Sequence, residues 1–328
     1  MSRKIILILT SLLCVLPFNT SVVSAAELTP AETAKIQQLR QDYNALDQTT
    51  FNTTNLYAVK PQFNRKFKEG ILAPAYLEQQ LAYINYYRQL FSLEPVSDNH
   101  QDNISAQKTA AVLALLNANP LINQHNLPYE KKPKIVNRGT WQIARSTSNA
   151  ANLNFNTCNQ SAGDVVTDLL TDSYNLSGTD TGHRAWLLST RLTTIGLGAA
   201  YGKNGYRYSV QKVINSTDAF RLASQAQVAY PEAGVFPIEL LKGKNIAWSL
   251  YFSDQVIEGT PQITITDEDT GISYQAEKVE NFSDAGYGNF QSVISYLPGD
   301  TPLISGHEYR VDVSGIVSYR FKLFQLKQ

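Results

Sequence analysis

Cysteine, histidine and methionine are all scarce in this chain of 328 residues, which holds 2 Cys, 4 His and 1 Met. Cys14 lies in an apolar run at the N-terminus, so Cys158 is the one thiol in the body of the chain. A single thiol forms no internal disulfide and supplies neither a C-x-x-C pair nor a cysteine metal cluster. It stands in the polar stretch Asn156-Thr157-Cys158-Asn159-Gln160, with no cation beside it in sequence to activate it, and reads as a bystander. One-sided charge is missing too, since 28 Lys and Arg balance 28 Asp and Glu. No basic stripe of the kind a nucleic acid needs is evident. Sequence motifs for a serine-hydrolase elbow, G-x-S-x-G, and for a zinc protease, H-E-x-x-H, are absent, as are glycine-rich phosphate cradles. Leu297-Pro298-Gly299-Asp300-Thr301 has neither the fourth residue nor the apolar tail of a sortase-type anchor.

What is present begins with the layout of an export leader. Arg3 and Lys4 precede an apolar run from Ile5 to Phe18 and a polar stretch ending Ser24-Ala25-Ala26, where small residues permit cleavage. The run is shorter than the roughly 20 residues of a bilayer crossing, and Leu13 before Cys14 does not suit lipid attachment. The expectation is a released chain of about 300 residues, secreted or held at a cell surface, with no membrane span after cleavage and a core in place of crosslinks.

Thr29-Pro30-Ala31-Glu32 is a capping box with proline at the first helical position, and Ile36, Leu39, Tyr43 and Leu46 follow at helical spacing. Residues 27–75 are read as a helical extension, with a flexible spacer as the alternative. Further helices are expected from Pro74 to about Glu94, from Ser105 to Asn117, from Ser161-Ala162-Gly163-Asp164 onward, and in a short stretch carrying His183 and ending near Arg191. The period then becomes two. In Thr194–Tyr201 the residues Ile195, Leu197 and Ala199 alternate with Gly196 and Gly198, and Tyr206–Val213 alternates again beyond the turn Gly202–Gly205. Bare glycines on one face of a strand imply that something packs directly on its backbone. After about residue 225, six or seven short alternating segments separated by turns read as a small β-sandwich.

Four pieces of the middle region fall in a meaningful order: Asn85-Tyr86-Tyr87-Arg88 with Ala106-Gln107, then Leu121-Ile122-Asn123-Gln124-His125, then Ser148-Asn149-Ala150-Ala151-Asn152-Leu153, then Gly182-His183-Arg184 before Ile195-Gly196-Leu197-Gly198. In this order and spacing they resemble the CAP superfamily, the secreted α-β-α domains that include the cysteine-rich secretory proteins and their bacterial relatives. The tail from Tyr230-Pro231 through Trp248-Ser249 resembles the β domain appended to many bacterial members. The fold implied is α+β, a CAP-like α-β-α sandwich over residues 76–225 followed by an immunoglobulin-like β-sandwich over 226–328, behind a leader at 1–26.

The resemblance implies a cleft lined by two histidines and two acids, with the histidines holding a divalent metal in some members. By position His125 and His183 are those histidines, and Asp172 matches the second acid. Where the first acid belongs stands Ala151, so the set reduces to His125, His183, Asp172 and Asn152. Two imidazoles can hold Zn²⁺ or another divalent metal, but a catalytic zinc site normally uses three protein ligands, and only Asp172 remains as a third. Asn85 and Arg88 are expected to tie an early helix to the cleft wall, Arg184 to pair with an internal carboxylate, and Trp186 to anchor the core. The function implied is a two-histidine cleft that binds a small molecule, a peptide, a cell-wall component or a divalent metal. The alternatives are an extracellular or cell-wall hydrolase, and an adhesion or matrix protein with a vestigial cleft, which exposed aromatics on the sandwich would favour.

Overall fold

A computed structural model describes residues 27–176, 178–243 and 246–327, and the expected leader at 1–26 lies outside them. The chain runs through α1 (Pro30–Ala45), β1 (Tyr57–Val59), β2 (Ile71–Leu72), α2 (Pro74–Leu90), β3 (Ser97–Asp98), α3 (His100–Leu116) and α4 (Arg138–Asn149). It continues with β4 (Ala151–Asn156), α5 (Ala162–Thr171), α6 (Gly182–Leu187), β5 (Thr194–Tyr201) and β6 (Arg207–Lys212). Four of these strands form a sheet in the order β3-β5-β6-β4, with β5 and β6 joined as the expected hairpin. The capping boxes at Thr29 and Ser161 both form, each with its reciprocal pair of hydrogen bonds.

Alternation along β5 and β6 decides what covers each face. Ile195, Leu197 and Ala199 join clusters with α2 and α5, while Ala200, Tyr208 and Val210 join the cluster built on α3 and α4. This gives an α-β-α region. Beyond Thr194–Ile195 the outer edge of β5 has no neighbouring strand, and α3 takes that place with side chains. The Leu197 N–H donates to Asn103 Oδ1 (2.7 Å) and the Ala199 N–H to Gln107 Oε1 (2.9 Å). Asn103 and Gln107 are one helical turn apart, so a single helix face satisfies two buried amides. The glycines permit that approach: a Cβ on Gly198 would lie 2.3–2.4 Å from backbone atoms of Ala106 and Gln107.

Three boundaries differ from the sequence expectation. Helix α3 begins five residues earlier than Ser105, because the Asn99 side chain accepts from the Gln101 and Asp102 N–H groups as an N-cap. Helix α4 was not expected at all; its buried residues, Thr140, Ala144, Thr147 and Ser148, are small or polar, and Trp141 packs half-buried beside them. Helix α6 stops at Leu187 instead of running to Arg191.

The rest of the chain is strand-rich: β7 (Gln227–Tyr230), β8 (Gly234–Pro237), β9 (Trp248–Phe252), β10 (Ile263–Asp267), β11 (Ile272–Gln275), β12 (Glu277–Asn281), β13 (Ser292–Leu297), β14 (Glu308–Val313) and β15 (Val317–Phe324). They make two open sheets, β11-β10-β14-β15-β8 and β12-β13-β9-β7. Short 3-10 turns at Ile238–Leu241, Ser283–Ala285 and Tyr287–Asn289 lie between these strands. One hydrophobic cluster runs from Ile36 and Leu39 through Phe91, Leu170 and Leu188 to Tyr230, Trp248 and Phe321. The α-β-α and β-rich regions thus share a core.

Gly198→Ala is expected to destabilise the protein by about 2–3 kcal/mol, the scale of overpacking against atoms that cannot yield. Urea unfolding measures it, and a variant as stable as the parent would show that α3 can retreat from β5.

Candidate functional site

His183 lies in the first turn of α6, and Asp172 is the C-cap of α5, with a left-handed backbone (φ 53°) instead of a place on the helix. That geometry turns the carboxylate toward α6. Asp172 Oδ1 accepts from His183 Nδ1 at 2.7 Å, and Oδ2 accepts from the Arg184 backbone N–H at 3.0 Å. The Asp172 side chain is 2% exposed and that of His183 22%. From β4, Asn152 donates its amide to the His183 carbonyl at 2.9 Å. Ring and main chain of His183 are therefore both held, one by Asp172 and the other by Asn152.

His125 sits in the loop between α3 and α4. Its Nδ1 meets the Ser148 carbonyl at 2.8 Å, and its backbone N–H donates to Asn123 Oδ1. A carbonyl only accepts, so Nδ1 carries the proton and Nε2 keeps a lone pair. In His183 the carboxylate likewise fixes the proton on Nδ1 and leaves Nε2 as the outward nitrogen. Burial acts against charge on His183, but the Asp172 charge and hydrogen bond, with the charge of Asp180, outweigh it and raise the pKa above its usual 6.5. For His125 burial wins; the Ser148 carbonyl opposes it, His183 adds to it, and Asp180 offsets part, so the pKa is lowered. The two imidazoles are thus driven apart in protonation.

Asn85 and Arg88, expected to support the cleft, bond to main-chain atoms. Asn85 exchanges hydrogen bonds with Val96 N–H and C=O. Arg88 donates to the carbonyls of Glu94, Leu187 and Ser189, fixing α2 to the chain around α6. Arg184 departs from expectation. Its guanidinium pairs with no carboxylate; it donates to the carbonyls of Leu170, Thr171 and Ala247 and to Ser249 Oγ, and stacks 3.7 Å above the Tyr230 ring. Trp186 is half-buried against the shared core, and Cys158 is free and exposed.

A second cluster had no place in the sequence reading. Asp267, Asp269 and His307 offer ligand atoms within 4.8 Å of one another, a candidate metal cluster in the β-rich region. These atoms already have partners. His307 Nδ1 lies 3.1 and 3.0 Å from the two Asp267 oxygens, Asp267 Oδ1 accepts from the Asp269 N–H, and Asp269 Oδ2 accepts from the Glu308 N–H. The sequence showed the Asp269-Thr270-Gly271 turn, but nothing in it brings His307 alongside.

Among the described residues the large apolar side chains most exposed on the β-rich region are Val256, Ile272 and Ile304, none of them aromatic. No helix among the described residues is long and apolar enough to cross a membrane.

Residues 81–213 match the model of the CAP family, the cysteine-rich secretory protein family. No curated protein matches the chain. The chain therefore contains a CAP-domain region followed by a β-rich region.

The stability contributed by protonated His183 beside Asp172 is full below its unfolded pKa of about 6.5 and is lost as the pH rises through its raised folded value. The difference in urea midpoint between the parent and Asp172→Asn should accordingly narrow as the pH is raised across that range. In the same variant the His183 ring, followed by NMR, should titrate lower than in the parent. A difference that does not change with pH would mean that Asp172 acts only through the Arg184 N–H.

Proposed function

We propose that the protein is a secreted binding protein whose cleft, centred on His125 and His183, takes a divalent metal ion, zinc being the best match to its donors. The observation that carries this reading is the state of the two rings. Each has Nδ1 tied to an oxygen acceptor, Ser148 O or Asp172 Oδ1, so each presents Nε2 as the remaining ligand atom. Neutral imidazole with its second nitrogen hydrogen-bonded is the usual form of a histidine metal ligand. The residues therefore fit a metal, with Asp172 raising the basicity of one ligand.

Two imidazoles leave the remaining coordination positions to water or to a group on a small molecule, peptide or cell-wall component. A metal bound there supplies Lewis acidity toward such a group. The chain itself contributes orientation. Asn152 and Asp172 fix His183 at its carbonyl and its ring, and Ser148 fixes His125. Because metal binding requires Nε2 free of its proton, affinity falls as the pH drops, and His183, with the raised pKa, sets the limit. Secretion rests on the leader-like residues 1–26.

Calorimetric titration with Zn²⁺ tests the assignment. The parent should bind one ion, and the His125→Ala/His183→Ala protein should lose that binding, while His307→Ala should retain it. Loss in His307→Ala with retention in the double variant would move the metal to Asp267, Asp269 and His307.

A further inference from the structure

The two outer edges of the sheet β3-β5-β6-β4 are finished differently. On β5 the outward amides of Leu197 and Ala199 are closed by side chains of α3. Since those residues face outward, Gly196, Gly198 and Ala200 bond inward to Lys212, Val210 and Tyr208 of β6. The alternate residues of β6, Arg207, Ser209 and Gln211, therefore turn their main chain to β4 and pair with Asn156, Asn154 and Asn152. The Val213 N–H, which donates to the Ala150 carbonyl at 3.1 Å, keeps the same phase. Ala151, Leu153 and Phe155 are left with N–H and C=O groups directed away from the sheet. Strand β4 is the last in its sheet, and among the described residues no hydrogen bond reaches those groups.

Nothing in β4 guards this edge. The strand reads Ala-Asn-Leu-Asn-Phe-Asn, with no charge, no proline and no break in register over its 6 residues. Sheet edges are usually blunted by one of these. Leu153 and Phe155 pack toward the cluster on α3 and α4, and Asn154 turns to α5, where its amide donates to Asp168 Oδ2 at 3.2 Å. With both faces in contact, Leu153, Asn154, Phe155 and Asn156 are still only half-buried. The edge also begins at the histidines. Ser148, just before β4, holds His125 Nδ1 through its carbonyl at 2.8 Å, and Asn152 donates to the His183 carbonyl at 2.9 Å.

We propose that the open edge of β4 docks an extended peptide, which adds to the sheet as a further strand beside Ala151, Leu153 and Phe155 and carries one end to His125 and His183. Only the placement of that end rests on the metal reading of the cleft; the pairing itself needs no metal. The occupant follows from the chemistry of the edge. A row of amide donors and carbonyl acceptors at alternate residues is matched by another extended backbone, the mode known as strand addition. A second folded copy fits less well: its own β4 is preceded by α4, so its course before Ala151 is already fixed. The free end of a peptide can run on past Ala151 to the rings. Peptide side chains alternate as those of β4 do, one set beside Leu153 and Phe155 and the other beside Asn154 and Asn156, so the edge favours alternating apolar and polar residues. The end that reaches the cleft supplies the donor that two imidazoles leave to a ligand.

Selection of random peptides of about eight residues, enough to cover β4, on the parent protein without added metal provides the probe. The enriched peptides should alternate apolar and polar residues. Two N-methylated forms of one such peptide then test the geometry by calorimetry. Methyl groups on the amides that face β4 should weaken binding about 10-fold or more, because each blocks a main-chain hydrogen bond, while methyl groups on the alternate amides should change it by less than about 2-fold. Leu153→Pro removes one outward N–H, and Leu153→Ala loses the same packing but keeps that N–H, so the proline variant should lose more affinity. Exchange of the Leu153 and Phe155 amide hydrogens should slow when the peptide binds. A library that yields no binder, or equal losses from the two methylation patterns, would overturn the proposal. So would a parent that is dimeric by sedimentation and monomeric as Leu153→Pro, which would give the edge to a second copy. Zn²⁺ separates this proposal from the metal reading: it should raise peptide affinity in the parent and not in the His125→Ala/His183→Ala protein. A parent that binds Zn²⁺ with no gain for the peptide would overturn the placement of the peptide's end. A parent that binds no Zn²⁺ would remove the metal reading, while the methylation pair still decides the strand.

Discussion

A buried guanidinium, that of Arg184, is the interaction on which the rest of the structure depends. It is fully enclosed, and its hydrogen bonds go to the end of α5, through Leu170 and Thr171, and to β9, through Ala247 and Ser249. Tyr230 at the end of β7 covers its face. One side chain thus binds the α-β-α region to the β-rich region at the residue next to His183. Burying a cation without a carboxylate is unfavourable unless its donors are all engaged, and here carbonyl dipoles and an aromatic face take that part. Arginine suits this because its donors are fixed in a planar fork and the ion is weakly hydrated.

The device recurs. Arg88 joins α2 to the carbonyls at and after the end of α6, Arg191 joins the same segment to Ser253, Asn289 and the Asp254 carboxylate, and Arg207 joins β6 to the carbonyls of Phe51 and Gln160. All four side chains are buried, and most of their hydrogen bonds end on main-chain oxygen. Among the described residues, which hold one exposed thiol and no disulfide, these contacts pin distant segments at defined points. They also fix α6. Arg88 and Arg184 hold α6 from opposite ends, and Asp172 uses one oxygen on the Arg184 N–H and the other on the His183 ring, so position and tautomer of the imidazole are set together.

The sequence was readable where local chemistry decides the outcome. Both capping boxes, the alternation of β5 and β6 and the bare glycines gave helix starts, sheet faces and a close approach before any coordinates, because each depends on residues within a turn or two. Helix α4 was not read, since the residues it fully buries are threonine, serine and alanine, with Trp141 packed half-buried beside them. The partners of Arg184 were not readable either. A carbonyl is present at every residue and leaves no trace in composition, so an acid was expected where the protein uses backbone. The hydrogen bond from Tyr287 to Asp180 was silent for a third reason: nothing local connects a loop before a short helix with a 3-10 turn 107 residues later.

The shared core bears on what the β-rich region is for. An appended adaptor would meet its neighbour through a modest, polar surface and keep its own core. Here Phe91 of the α-β-α region packs on Tyr230 and Phe236 at 5.9 Å between ring centres, Tyr251 Oη donates to Thr181 just before α6, and Ser295 Oγ donates to the Thr179 carbonyl. Thr179, Asp180 and Thr181, the three residues leading to Gly182 and His183, each have a hydrogen-bond partner in the β-rich region. The approach to the histidine helix is therefore shaped by both regions. A CAP-domain region of this kind, isolated at residue 225, would lose the Arg184 acceptors at Ala247 and Ser249 and the partners of Thr179, Asp180 and Thr181. The β-rich region is thus part of what positions the start of α6, through Tyr251, Tyr287 and Ser295.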